Sequence, residues 1–359
     1  MAQEPLNLTR AAYLGRQGIK FGAILLVALV VGRTVLTVGY GFYKTMFPDP
    51  PPPPTVGFGI LPELRFPEQT ADDKPLSYEL EVPNSRLPNF GDRAKVFLMN
   101  RSSLSLLADQ RAKQIAADYG YVFQPTILST STYRWTKSQP IQATLQMNIQ
   151  NFSFNITTDY LSRAALLTNK NLPTESSAVS ILKAFVKAGQ ELPEDIATAS
   201  GTVSYYKSLG GELQPAVSLS DADFLRVDIN RFPIDGNKMF YTPQGDEGAL
   251  NGIISGSLSG QDQVVAVDYH YQSIDYTERQ TYPLRTVSSA WQIVQAGEAY
   301  IARKGTDSSA MIRGISLGYY DDTEEQDYLQ PIYVFEGDNG FMAYVPAVDP
   351  LWYQTAPQE

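Results

Sequence analysis

The sequence predicts an α+β protein: an N-terminal single transmembrane helix, a proline-rich spacer, then two modules of antiparallel sheet packed against helices. Three observations predict it. An apolar run from Ile19 to Tyr43 is followed at once by Pro48 and Pro50 to Pro54. Apolar and polar residues alternate on both arms of LQMNIQNFSFNI, Leu145 to Ile156, the period of a half-buried strand pair. A helical pattern closed by glycine and followed by a meander of strands occurs after residue 104 and again after residue 287.

The expected organisation is a cytoplasmic tail over 1–18, a transmembrane helix over 19–43, and a spacer with an extended segment over 44–75. A first module then spans 76–175, a helical connector 176–215 and a second module 216–359. The 25-residue run from Ile19 is ~37 Å long at 1.5 Å per residue, enough to cross a bilayer with tilt. Arg10, Arg16 and Lys20 crowd its start, whereas only Lys44 precedes Arg65 on the far side. The positive-inside rule therefore puts the N-terminus in the cytoplasm and the body outside. No A-x-A site follows the run, so it reads as a retained anchor. Arg33 sits inside it, where a charge costs about 2.5–3.5 kcal/mol at mid-bilayer. It either snorkels to the interface or meets a polar partner in the membrane.

The prolines favour polyproline II and stand the body ~20 Å off at ~3.1 Å per residue. Beyond them TVGFGILPELRFPEQ is too apolar for a free linker and is expected to lie extended along the body. Strands follow near Ser77 to Val82 and Ala94 to Met99. A helix is expected from Leu104 to Tyr119 with Leu104, Leu107, Ala108, Ala112, Ile115 and Tyr119 inward and Gly120 as its cap. A strand near Thr130 to Trp135 comes next. In the following hairpin a turn at Gln150-Asn151 pairs Ile149 with Phe152, Met147 with Phe154 and Leu145 with Ile156. One face is then buried beneath the helix and the other is wet.

Helices are expected near Asp159 to Thr168 and from Ser177 to Ala188, the second ended by Gly189, and a connecting strand at Thr202 to Tyr206. Later strands are read at Phe224 to Arg231, Gly252 to Leu258 and Val264 to Ile274, with Val265, Val267, Tyr269 and Tyr271 on one face. RTVSSAWQIVQAGEAYI supplies a helix capped by Thr286 or Ser288 and stopped at Gly297. Strands at Ile312 to Tyr320, Ile332 to Glu336 and Phe341 to Pro346 close the chain.

Composition narrows the function. With 43% hydrophobic and 18% charged residues the chain is not disordered. After position 44 it carries 23 basic and 37 acidic residues, a net charge of −14, which repels phosphate backbones and argues against nucleic acid. The absence of cysteine excludes disulfides, thiolate metal sites and cysteine nucleophiles. An exported body of this size without disulfides suits a bacterial cell envelope.

Catalytic, cofactor and metal residues are not expected. His270 is the only histidine, and it reads as a surface strand residue rather than a catalytic base. Ser180-Ile-Leu-Lys183 and Ser204-Tyr-Tyr-Lys207 fit S-x-x-K but lack the companion motifs of serine acylases. Asp321 to Asp327 gathers carboxylates of the type that hold Ca²⁺, without the EF-hand glycine and spacing, and reads as a solvated loop. Asp221, Asp223 and Asp228 near Arg226 and Arg231 fit paired-carboxylate chemistry and fit equally the wet face of a strand. The tyrosines of the second module outnumber what a small core needs. Tyr269, Tyr271, Tyr319, Tyr320, Tyr333 and Tyr344 are the candidates for a partner-binding surface.

The stretch YPLRTVSSAWQIVQAGEAYI, then IRGISLGYY, then LQPIYVFEGDNGFMAYVPAV, within the 67 residues from Tyr282 to Val348, resembles the C-terminal part of YycH/YycI-type (PepSY-like) extracytoplasmic regulators. The matching positions are Ala290, Trp291, Gly297, Leu317, Gly318, Tyr319, Tyr320, Pro331, Tyr333 and Tyr344. The resemblance implies a helix packed on an antiparallel sheet, and non-enzymatic control of another membrane protein partly through transmembrane helices. The expected function is thus a membrane-anchored binding or regulatory protein acting on another envelope protein, with Arg33 a possible intramembrane contact. The alternatives are a structural scaffold component of an envelope or secretion assembly and, third, a hydrolase with an unrecognised site.

Overall fold

The structure is a computed structural model that describes residues 8–47, 52–75, 77–83, 86–168, 171–306 and 308–354. It divides into two units, Met1–Pro53 and Pro54–Glu359. The expected spacer prolines Pro48, Pro50 and Pro51 fall outside the described residues.

The first unit is one helix, α1, Leu8–Met46, long and apolar enough to cross a membrane. It starts earlier than the apolar run, and no proline lies between Leu8 and Ile19 to stop it. Its apolar side chains are exposed on all sides. Within it the hydroxyls of Thr34, Thr37 and Thr45 donate back to the carbonyls of Val30, Arg33 and Gly41 at 2.8, 2.7 and 2.9 Å. That bonding hides three polar groups along an apolar helix.

The second unit holds two large sheets. The nine-stranded one runs, from edge to edge, Thr126–Ile127, Thr132–Lys137, Ala143–Asn148, Phe154–Thr158, Val264–Tyr269, Leu250–Ser255, Phe224–Ile229, Thr202–Leu209 and Glu212–Pro215. Every neighbouring pair in it is antiparallel. α2 (Ala108–Asp118) and, past the short α3 (Ala164–Thr168), α4 (Glu175–Gly189) cover one face. Ile115 and Tyr119 at the end of α2, with Leu182 and Phe185 of α4, meet Trp135, Leu145, Met147, Phe154 and Val227 in a single core. The hairpin has the expected register, Leu145 opposite Ile156 and Met147 opposite Phe154. Its turn is wider than expected: the Phe152 N–H bonds Asn148 O at 2.8 Å, and Phe152 itself takes a positive φ of 59°.

The eight-stranded sheet orders Phe240–Tyr241, Ser309–Tyr320, Tyr328–Gly337, Met342–Pro346 and Tyr300–Arg303. Ser77–Leu80, Arg93–Met99 and Ile274–Pro283 are attached beside it. After α5 (Glu194–Ala197), the last helix, α6 (Val287–Gln295), lies on this sheet through Val287, Ala290 and Val294. Thr286 caps α6 by accepting the Ser289 N–H at 3.1 Å. Gly120 and Gly297 end α2 and α6 in left-handed conformations of φ 86° and 72°, which cost a glycine little.

The segment after the spacer is strapped to this second sheet, as its apolar character predicts. Val56 N–H bonds Thr281 O at 3.0 Å, and Leu61–Pro62 pairs in parallel with Tyr353–Gln354. Leu61 is fully buried with Val96, Tyr282 and Val348. Phe66 stacks on Tyr300 at 4.9 Å and meets Tyr320 edge-on at 4.8 Å. The Gln69 side chain both donates to Ile301 O and accepts from its N–H, at 2.7 and 2.8 Å.

Four expectations are corrected. The sheets cut across the 76–175, 176–215 and 216–359 boundaries, because Phe154–Thr158 pairs with Val264–Tyr269 and fuses strands from both halves. The single strand expected over Val264 to Ile274 is two strands in different sheets, and a bulge near Val265 turns that side chain away from the face of Val267 and Tyr269. Leu104 and Leu107 precede α2 and are 55% and 66% exposed, so the helix starts four residues late. Gly189 is inside α4 rather than beyond it: a Cβ there would come within 2.6 Å of the Tyr119 ring, so the glycine serves close packing.

Candidate functional site

The face of the nine-stranded sheet away from α2 and α4 carries an unbroken polar row. Register places Arg134, Gln146, Asn155, Asp268, Asn251, Asp228 and Thr202 side by side across seven strands. At the Thr202 end this face forms one wall of a cleft of about 640 Å³, within the size range of ligand sites. Thr202, Ser204, Arg226 and Asp228 line the wall, and Asn230 to Pro233, Met239, Asp246, Glu247 and Arg303 close it.

The charges in the cleft are paired. Arg226 bonds Asp228 through Nε and Nη2 at 3.1 and 3.3 Å and reaches Glu247 at 2.8 Å. Arg303 pairs with Asp246. Burial pushes the Glu247 carboxyl up, against the pull of Arg226, while the two carboxylates hold the Arg226 guanidinium firmly charged.

Beside the cleft Arg231 is almost wholly buried. Its Nε bonds Asp195 at 3.0 Å, and its Nη1 bonds Gln272 O at 3.0 Å and Asp321 at 3.3 Å. The guanidinium lies between the rings of Phe240 and Tyr271, 4.8 and 4.5 Å from their centroids. Phe240 and the chain leading to Asp321 belong to the eight-stranded sheet, whereas Arg231 and Tyr271 follow strands of the nine-stranded one. Arg231 is therefore a clamp between the sheets. Sequence reading placed it on a wet strand face; nothing local marks its burial, since its partners lie 36 and 90 residues away.

His270 corrects another expectation. It is 7% exposed, not a surface residue, because the chain there passes from one sheet to the other, and neither ring nitrogen has a hydrogen-bond partner among the described residues. Asp268 and Asp322 lie within its electrostatic range. Burial raises both carboxyls, outweighing His270 and, for Asp268, Arg226, which favour the charged form. A carboxyl whose folded pKa is raised makes the fold lose stability as pH climbs from the unfolded value, about 3.9, through the folded one. Asp268→Asn is expected to match the natural protein near about pH 4 and to melt higher than it at neutral pH. Melting curves across that range check this.

The tyrosines expected to form a partner surface are interior. Tyr319, Tyr320, Tyr333 and Tyr344 are fully buried, Tyr269 nearly so and Tyr271 partly. Backbone carbonyls satisfy their hydroxyls: Tyr319 donates to Lys95 O at 3.0 Å, Tyr320 to Arg65 O at 3.2 Å, Tyr333 to Arg285 O at 2.8 Å and Tyr344 to Thr242 O at 3.1 Å. Such bonding lets a tyrosine fill a core without a buried unpaired hydroxyl.

The remaining candidates are dispersed. Ser180 donates to Ser176 O, and Lys183 donates to Ala197 O and Ala199 O at 2.9 and 2.5 Å, so the helical S-x-x-K has each group engaged elsewhere. Asp221 pairs with Lys207, and Asp223 accepts the Ser208 N–H. Of the loop expected to be solvated, Asp321 is buried on Arg231 and Asp327 pairs with Arg101. Among the described residues no group of three His, Cys, Asp or Glu side chains could hold a metal ion. Arg33 lies exposed on α1, its carbonyl accepting the Thr37 hydroxyl.

No family model and no curated protein matches the chain. Among solved structures an uncharacterized protein from Eubacterium rectale aligns over 75% of this chain and 87% of its own, at 11% identity and a TM-score of 0.31. Likeness at that level assigns neither fold nor function.

Proposed function

We propose that the protein is a non-enzymatic, single-pass protein of the bacterial cytoplasmic membrane whose extracytoplasmic body binds and regulates another envelope protein. The strap carries this reading. Residues 55–69, which join the proline spacer to the body, are built into the core of the second sheet through Leu61, Phe66 and Gln69 instead of hanging as a linker. A segment built into the body in this way suits a protein whose body works as one folded unit behind its anchor. The long apolar α1 and the basic residues Arg10, Arg16 and Lys20 in its N-terminal part support an anchored body with the N-terminus inside. Ser180 and Lys183 are each bonded to backbone carbonyls and His270 has no hydrogen-bond partner among the described residues, which supports a binding role over serine chemistry.

Crosslinking the full-length protein in intact membranes tests it. One membrane-protein partner, recovered near equal stoichiometry and lost when α1 is exchanged for an unrelated anchor, is the expected result. Recovery in a large assembly holding many copies of this chain would favour a scaffold instead.

A further inference from the structure

We propose that the cleft between the Thr202–Leu209 strand and the 230–247 segment is a binding site for a neutral saccharide. This stands apart from the partner reading above. Three arginines and three carboxylates line the cleft, and each guanidinium is already committed: Arg226 to Asp228 and Glu247, Arg303 to Asp246, Arg231 to Asp195 and Asp321. An anion would have to displace one of these pairs and face the carboxylates left behind. An apolar ligand would strip water from paired charges without replacing its hydrogen bonds.

A sugar hydroxyl does neither, because it donates and accepts at once. Neighbouring hydroxyls on one ring can give a proton to the carboxylate and take one from the guanidinium of the same ion pair, so the pair remains intact and gains two charge-assisted bonds. Phe232 and Met239 line the same cleft at 48% and 39% exposure. They offer apolar ground to the C–H face of a ring.

The cleft is also long. A second cavity of about 400 Å³ shares Thr202, Asn230, Met239, Asp246 and Arg303 with the first and continues to Glu336 and Met342. That continuity suits an oligosaccharide better than a single ring. An extended peptide is the competing chain-like ligand, but it docks by adding to an open strand edge. The cleft lies over the side-chain face of the Thr202–Leu209 strand, which is bonded to Phe224–Ile229 along Thr202–Tyr206 and to Glu212–Pro215 along Tyr206–Leu209.

The test is calorimetric titration of the full-length protein in detergent micelles with cellotetraose, maltotetraose and fully N-acetylated chitotetraose, and with tetra-alanine as the peptide probe. The expected result is saturable binding of at least one tetrasaccharide and none of the peptide. Asp246→Asn should weaken that binding by about tenfold or more, the loss for one hydrogen bond to a charged group. Phe232→Ala should weaken it several-fold with unchanged melting, since that ring is half exposed and holds no core contact. Absence of saccharide binding up to about 10 mM, where even a contact of millimolar Kd saturates, would overturn the proposal. So would preferential peptide binding, or saccharide binding that both variants leave untouched. None of these results bears on crosslinking to an envelope partner, so the two readings fail separately.

Discussion

Arg231→Ala is expected to lower the stability of the body by about 3–5 kcal/mol, the effect of removing one partner from a buried charge cluster. The loss comes from what remains. Asp321 and Asp195 would keep their carboxylates at the junction of the two sheets without the guanidinium that compensates them, and Gln272 O would lose a donor. Arg231→Lys retains the charge but cannot bond two carboxylates and a carbonyl in one plane while stacking between Phe240 and Tyr271. It should fall between the two. Urea unfolding of the full-length protein in micelles measures the series, and a loss under about 1 kcal/mol for Arg231→Ala would place the pair in the weak class of exposed salt bridges and remove the clamp from this account.

Leu61→Ala is expected to cost about 2–5 kcal/mol, the range for emptying a buried leucine site. Leu61 has no exposed surface and fills the space between Val96, Tyr282 and Val348, so a cavity forms at the point where the strap enters the body. The strap has its own reporter. Arg65 follows within it and is a trypsin site whose carbonyl is held by the Tyr320 hydroxyl. Cleavage after Arg65 should be slow in the natural protein and fast in Leu61→Ala. Equal rates would mean that Leu61 does not hold the strap.

Local chemistry was legible and distant pairing was not. The register of the Leu145 to Ile156 hairpin follows from a period-two pattern on two arms close in sequence, and Thr286, Gly120 and Gly297 mark helix ends because capping depends on neighbours one to four residues away. The join between Phe154–Thr158 and Val264–Tyr269 spans over a hundred residues, and no periodicity announces which strands meet. Leu104 and Leu107 have helical spacing yet stand exposed, since spacing fixes a face but not whether anything covers it.

The tyrosines misled for a related reason. Their number says nothing about burial when the carbonyls of Lys95, Arg65, Arg285 and Thr242 accept their hydroxyls. The cleft gathers Ser204, Arg226, Asp246 and Arg303 from positions up to a hundred residues apart. Ser204 falls in an S-x-x-K match and Arg226 beside Asp221, Asp223 and Asp228, whereas nothing local marks Asp246 or Arg303. Gly189 misled differently: glycine at a helix end usually signals a left-handed cap, but here the Tyr119 ring needs the space.

The central claim, an anchored body held outside the membrane, is tested most directly by the sidedness of single cysteines. The natural chain has none, so any label is unambiguous. Ala12→Cys places a thiol in the basic flank of α1 and Ser129→Cys places one in an exposed loop of the body. In intact cells a membrane-impermeant maleimide should label Ser129→Cys and spare Ala12→Cys until the cells are lysed. Labelling of Ala12→Cys alone in intact cells, or protection of both, would contradict the account.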